Sequence, residues 1–273
     1  MRDARIQWKA WGERGKPGLI LVHGGVAHKD WWVSIAPFLS GTRRIVALDL
    51  SGMGDSDHRD AYSLPVYAEE ILAVGRDGGA FEAGAPFVAG HSFGGFASLM
   101  AGRLFGEELR GVAVLDSPIR PRDTQRRSSP PSRGGNVYAS FDAALARFRL
   151  LPEQGCANLF LVDHIARCSL KTAPRPDDSE GWTWKFDPKL WEKMDYDRGD
   201  PAEIAAEMKT RLAFFRGENS RLVTDEVWSY MQDTFGAETS FVSIPDAEHH
   251  VILDQPIAVG AALEVLTGPG WGG

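Results

Sequence analysis

The sequence predicts one large α/β domain interrupted by an insertion. Three observations predict it. Short aliphatic runs at 19–22, 45–48 and 111–115 have the length of buried strands, and each runs into a glycine or an acidic turn. A further run at 85–89 passes through a glycine turn directly into a helical stretch at 96–105. Finally, 273 residues with 43% hydrophobic and 25% charged content suffice for a substantial core. The composition then shifts abruptly at 118–131, a stretch rich in proline and arginine.

Taken in order, the segments carry different chemistry. The run at 19–22 opens into His23-Gly24-Gly25 and then Asp30-Trp31-Trp32. A glycine there lets a backbone N–H come close to a substrate oxygen, as an oxyanion hole requires. The run at 45–48 ends in Asp49 and a polar turn reaching Ser56. Its Gly52-Met53-Gly54 invites a nucleotide-loop reading, but the third glycine of the dinucleotide fingerprint is absent. Gly90-His91-Ser92-Phe93-Gly94 has G-x-S-x-G spacing between a strand and a helix, the context a nucleophile elbow needs. Ordinary glycine turns match the same pattern, and in those Ser92 would be a helix N-cap. The run at 111–115 ends in Asp116.

After the composition shift, 141–151 and 156–169 read as helices, and 181–187 with Trp191 is unusually aromatic. A helix at 201–210 and a strand from 212 bring the core back, and a last strand at 239–244 runs into a loop carrying His249 and His250. No internal repeat is present.

In this order, and over nearly the whole length, the motifs His23-Gly24-Gly25, 49–56, Gly90 to Gly95 and 244–249 resemble those of the α/β-hydrolase superfamily. Leu253-Asp254-Gln255-Pro256 resembles the stretch that follows the catalytic histidine there. The resemblance implies the α/β-hydrolase fold: a mostly parallel central sheet flanked by helices, with a helical cap inserted after the strand ending at Asp116. Residues 1–119 and 205–273 would form the core and 120–204 the cap. Such a cap closes over the serine, excludes water and shapes the substrate pockets. The resemblance further implies Ser92 as nucleophile, His249 as general base, and the N–H groups of Phe93 and Gly25 as oxyanion donors. His250 is read as a packing neighbour, and His23 and His91 as positioning residues.

The acid departs from the common pattern. Many relatives carry it three residues beyond the glycine of the strand that ends here at Gly217, where this chain has Ser220. A serine carries no charge to stabilise an imidazolium. Other members place the acid after the strand that follows the nucleophile helix, which here is Asp116. Glu218 and Asp225 are the remaining candidates, and Asp246 is read as shaping its loop. Glu248 also stands where relatives commonly have glycine.

These parts imply a serine hydrolase of the carboxylesterase type, cleaving a carboxylic ester, lactone or thioester in a small molecule with an acyl group. Carbon–carbon bond hydrolysis of diketone-type substrates is the alternative that uses the same triad. Non-hydrolytic alternatives are a lyase, a cofactor-free oxidase or peroxidase, or a ligand-binding receptor. Epoxide hydrolysis and haloalkane dehalogenation are disfavoured, because those relatives carry aspartate where Ser92 stands. No cofactor and no metal are expected: H-E-x-x-H is absent, and Cys156 and Cys168 form no C-x-x-C pair. The net charge of −7 argues against nucleic acid as a partner. No run approaches a membrane span and the first residues lack the apolar core of a signal peptide, so a cytoplasmic location is the expectation. The sequence is silent on oligomeric state. Arg120, Arg122, Arg126, Arg127 and Arg133 raise the idea of an anionic substrate against the plainer reading of a solvated loop. For Arg147 and Arg149 contact with such a substrate and pairing with nearby acids are equally open, and the tail from Gly268 is expected to be disordered.

Overall fold

The computed structural model describes residues 4–124 and 135–268. Arg126, Arg127, Arg133 and the tail from Pro269 onward lie outside the described residues.

Strands β1 (Trp8–Trp11), β2 (Gly18–Val22), β3 (Arg44–Leu48), β4 (Phe87–His91) and β5 (Gly111–Leu115) alternate with helices α1 (Ala36–Leu39), α2 (Leu64–Asp77) and α3 (Phe93–Phe105). The insertion follows, with α4 (Phe141–Leu145), α5 (Leu159–Cys168) and the strand pair β6 (Leu170–Pro174) and β7 (Glu180–Trp184). The chain returns through α6 (Pro201–Glu207), β8 (Arg211–Gly217), α7 (Asp225–Phe235), β9 (Ser240–Ile244), α8 (Val251–Asp254) and α9 (Pro256–Leu266). Among the described residues the central sheet has seven strands in the order β1-β3-β2-β4-β5-β8-β9. Only β1 runs antiparallel to its neighbour.

Both faces of this sheet are covered, so its inner strands are continuous apolar runs. Along β2, Ile20 and Val22 enter one core with Tyr67, Ile71, Phe96 and Ala97 of α2 and α3. Leu19 and Leu21 enter the other with Trp32, Leu253, Val259 and Leu263. All strands but β1 point the same way, which gathers their carboxyl ends, and the loops leaving them, on one edge.

Two local readings needed correction. Helix α3 starts at Phe93, not three residues later, because Gly94 and Gly95 sit inside its first turn. A Cβ on Gly95 would meet Ser117 Oγ at 2.0 Å. The second concerns the insertion, expected to be helical, which also folds the antiparallel pair β6–β7. The alternation Trp182-Thr183-Trp184 is a strand period, and it lies on β7. In addition, α6 spans the expected boundary between 204 and 205, so a division there would cut a helix.

Side-chain bonds tie the insertion to the core. Tyr62 donates its hydroxyl to Asp187 at 2.8 Å, Lys193 pairs with Asp187 at 2.8 Å, and Lys185 pairs with Asp55 at 2.7 Å. Cys156 and Cys168 are free thiols. Among the described residues no helix is long and apolar enough to cross a membrane.

Candidate active site

Ser92 sits at the sharp turn from β4 into α3 with φ 54° and ψ −117°, a region that costs a non-glycine residue about 1–3 kcal/mol. The surroundings enforce it. A Cβ on Gly90 would lie 2.2 Å from the Gly94 carbonyl oxygen, and one on Gly94 would lie 2.3 Å from that of His23. The flanking glycines therefore exist to let strand, turn and helix meet. The Ser92 N–H donates to the Leu115 carbonyl at 2.8 Å, and the Ser117 hydroxyl donates to the Ser92 carbonyl at 2.6 Å. The Ser92 side chain makes no capping bond to α3, so it is not an N-cap. Its Oγ lies 2.9 Å from His249 Nε2 instead.

His249 lies in the loop after β9, and its Nδ1 is 2.7 Å from Asp116 Oδ2. Asp116 is fully buried and holds φ +49° at the end of β5. Its Oδ1 accepts the Gly217 N–H at 2.8 Å, and its Oδ2 also accepts the Ser220 hydroxyl at 2.7 Å. Ser220 Oγ in turn accepts the N–H groups of Leu222 and Val223 at 3.2 and 3.1 Å. The serine at the position where many relatives carry the acid thus holds the Asp116 carboxylate. The rival candidates point elsewhere: Asp225 pairs with Arg216 at 2.6 Å, and Glu218 accepts the Asp246 N–H at 3.2 Å.

Neutral histidines back the site. Burial, reinforced by the charge of His249, pushes His91 down to about 3, and its Nε2–H donates to the His249 carbonyl at 2.9 Å. Burial likewise lowers His23 to about 4, although Asp49 opposes the shift. His23 Nε2 accepts the Leu50 N–H at 3.1 Å, so its Nδ1 carries the proton and donates to the Gly24 carbonyl at 2.7 Å. This fixes the glycine turn. Burial also takes His250 well below its ordinary value, helped by His91 and His249. Ligand atoms of His91, His249 and His250 lie within 4.8 Å of one another, close enough to share a metal ion. Both nitrogens of His249 already face Asp116 and Ser92, so metal ligation would take the relay apart.

The Gly24-Gly25 turn abuts the elbow: a Cβ on Gly25 would lie 3.5 Å from Phe93 Cβ and 3.0 Å from the Trp191 ring. Among the described residues, neither the Gly25 nor the Phe93 N–H has an acceptor. Trp191 meets Phe93 edge-on at 5.4 Å and stacks on Tyr196 at 6.2 Å, so it packs over the junction of Gly25 and Phe93. Trp182 and Trp184 instead pack within the insertion, against Phe141, Tyr138 and Phe148. Arg149 bonds the carbonyls of Ala146 and Phe148 rather than an acid, and Arg147 is exposed.

The glycine turn after β3 closes around a carboxylate, which removes the nucleotide-loop reading. Asp49 accepts the N–H groups of Lys29 and Asp55 at 2.5 and 2.9 Å, and a Cβ on Gly54 would lie 2.2 Å from its Cγ. The sequence reading missed the support given by Ser220 and Ser117. For Ser220 the available signal was a hydroxyl in the place of an acid.

The model of the alpha/beta hydrolase family matches residues 19–262. A serine hydrolase-like protein of Danio rerio is 24% identical over 288 residues, covering 94% of this chain and 83% of that protein. Epoxide hydrolase 4 of Mus musculus is 30% identical over 120 residues, which is 42% of this chain. The matched part spans only 32% of that relative. Among solved structures, the thioesterase domain from the curacin biosynthetic pathway superposes with a TM-score of 0.77 at 17% identity, covering 96% of each chain. That likeness is one of fold.

Proposed function

Because the chain belongs to the alpha/beta hydrolase family, we propose that it is a serine hydrolase cleaving a carboxylic ester, lactone or thioester of a small molecule through an acyl-enzyme on Ser92. One observation carries this reading: Ser92 Oγ, His249 and the Asp116 carboxylate form an unbroken relay of 2.9 and 2.7 Å. His249 Nε2 takes the hydroxyl proton as Oγ attacks the acyl carbon, and Asp116 stabilises the imidazolium through Nδ1–H. The N–H groups of Phe93 and Gly25 receive the oxyanion, a contribution of about 2.7–4 kcal/mol per donor in comparable sites. The leaving alcohol or thiol takes the proton from Nε2. A water activated by His249 then hydrolyses the acyl-enzyme.

Residues 120–200 serve in this reading as the cap, with Trp191 over the junction of Gly25 and Phe93, and α6 belongs to the core. Ring opening of an epoxide fits the site poorly. An alkyl group left on Ser92 Oγ would be an ether, and the site has no way to hydrolyse it. Intact-mass analysis after exposure to a fluorophosphonate tests the proposal. One adduct on the wild type and none on Ser92→Ala is the expected result, together with turnover of short aryl esters. A folded protein that takes no adduct would refute it.

A further inference from the structure

The loop that carries His249 is pinned from the insertion as well as from the core. The core supplies one anchor: the His249 carbonyl accepts the His91 Nε2–H at 2.9 Å. The peptide groups on either side of His249 are held differently. The Glu248 N–H donates to Asp254 Oδ2 at 2.9 Å, and the His250 N–H donates to Gln154 Oε1 at 3.1 Å. Gln154 Nε2 in turn donates to the same Asp254 carboxylate, at 2.9 Å to Oδ2 and 3.2 Å to Oδ1. The two N–H groups that flank His249 therefore end on one joined pair. Asp254 is local, at the end of α8. Gln154 comes from the loop between α4 and α5, 96 residues from His250 in sequence.

Glutamine suits this place by its chemistry. Its carboxamide offers an acceptor to the His250 N–H and a donor to the Asp254 carboxylate, whereas an ionised acid only accepts and a lysine only donates. Burial raises the Asp254 pKa, and the bond from Gln154 opposes that rise, followed by the Glu248 N–H. The loop around Gln154 is itself docked on the same segment. Asn158 Nδ2 donates to the carbonyls of Leu253 and Asp254 at 2.8 and 3.2 Å. These bonds set where the His249 backbone lies while its ring meets Asp116 and Ser92 at 2.7 and 2.9 Å. Misplacing a reacting group by about 1 Å can cost about 100-fold in rate.

We propose that Gln154 is a positioning residue for His249, so that Ser92 is fully reactive only while the insertion loop at 151–158 is docked on the His249 loop. Gln154 acts through the backbone of the base and not on the reacting atoms. The proposal deepens the serine-hydrolase reading and rests on it.

Three variants test it: Gln154→Met, Gln154→Glu, and Gln154→Glu combined with Asp254→Asn. Methionine keeps the length and removes both bonds. Glutamate keeps the acceptor for His250 but sets a second carboxylate against Asp254. In the double variant the charge and the amide trade places, and both N–H anchors are kept. The fluorophosphonate labelling rate of Ser92 and kcat for a short aryl ester, each per folded molecule, should fall by about 10- to 100-fold in both single variants with KM little changed. The double variant should recover most of that loss, a pattern that a role in stability alone would not produce. Labelling and kcat of Gln154→Met close to wild type would overturn the proposal. So would a double variant no faster than Gln154→Glu, a comparison that stands even if Gln154→Met fails to fold. The ring-nitrogen resonances of His249 read the same point without turnover. In Gln154→Met they should move toward their positions in Asp116→Asn, and unmoved resonances would overturn the proposal. If the wild type neither labels nor cleaves esters, the serine-hydrolase reading fails, while these resonances still decide whether Gln154 holds the ring.

Discussion

Two buried aspartates stand at the carboxyl ends of parallel strands, Asp49 after β3 and Asp116 after β5, and both are fully inaccessible to solvent. Their counter-charges differ. Lys29 Nζ lies 2.9 Å from Asp49 and 2.9 Å from Asp55, and against the penalty of burial these carboxylates raise its pKa. Asp116 has no such fixed cation: among the described residues its only ion-pair partner is His249. Hydrogen bonds from Gly217 and Ser220 hold its carboxylate ready. The charge of Asp49 is thus spent on holding a turn. That of Asp116 faces only the ring of His249, as the proposed relay requires.

The largest expected effect separates the two. Asp116→Asn should lower kcat for an aryl ester by about 10³–10⁴-fold, by analogy with other triads, with little loss of melting temperature. An Asn variant within tenfold of wild type would remove Asp116 from the mechanism. Asp49→Asn should show the reverse. Removing one partner of a buried ion pair costs about 3–5 kcal/mol of stability, read by urea unfolding, while kcat per folded molecule stays near wild type. A stable Asp49→Asn protein would show that the turn after β3 does not depend on that charge.

Ser220→Ala should have an intermediate effect. It removes one hydrogen bond to a charged group, worth about 1.5–3 kcal/mol, so kcat should fall by about 10- to 100-fold if the bond orients Asp116. Ser220→Thr, which keeps the hydroxyl, should recover much of that loss. If alanine and threonine behave alike, the hydroxyl is not what positions the acid.

A further effect is graded with pH and involves two buried histidines, His23 and His91. His23 and His91 are held at about 4 and about 3, below the ordinary histidine value of 6.5. As pH falls below about 6.5 the unfolded chain takes up protons that the folded protein refuses. Stability should therefore decline toward pH 4 by up to about 1.4 kcal/mol per pH unit for each histidine, and stay level above about pH 7. Melting temperature against pH should slope less in His91→Gln. An unchanged slope there would mean that His91 does not drive the acid loss.

Much of this contrast was legible in the chain. The strands at 19–22 and 111–115 are recognisable because both faces are buried and the runs are continuously aliphatic. Ser92 is readable because two close approaches demand glycine on either side of it, at Gly90 and Gly94. Asp116 is the acid the sequence favours, because it ends the strand after the nucleophile helix, while local pattern leaves Glu218 and Asp225 as rivals. In the fold β5 lies beside β8, which brings Gly217 and Ser220 to the Asp116 carboxylate. Strand order is not encoded in local pattern. The pair β6–β7 was missed for the opposite reason: Trp182 and Trp184 were read for their aromatic bulk, while their spacing of two carried the strand signal.

The most direct measurement is the second-order rate of Ser92 labelling by a fluorophosphonate in wild type, Asp116→Asn and Asp49→Asn, each corrected for its folded fraction. A rate that collapses in Asp116→Asn and holds in Asp49→Asn is the expected result. Equal rates in wild type and Asp116→Asn, or a loss confined to Asp49→Asn, would contradict the division of labour between the two aspartates.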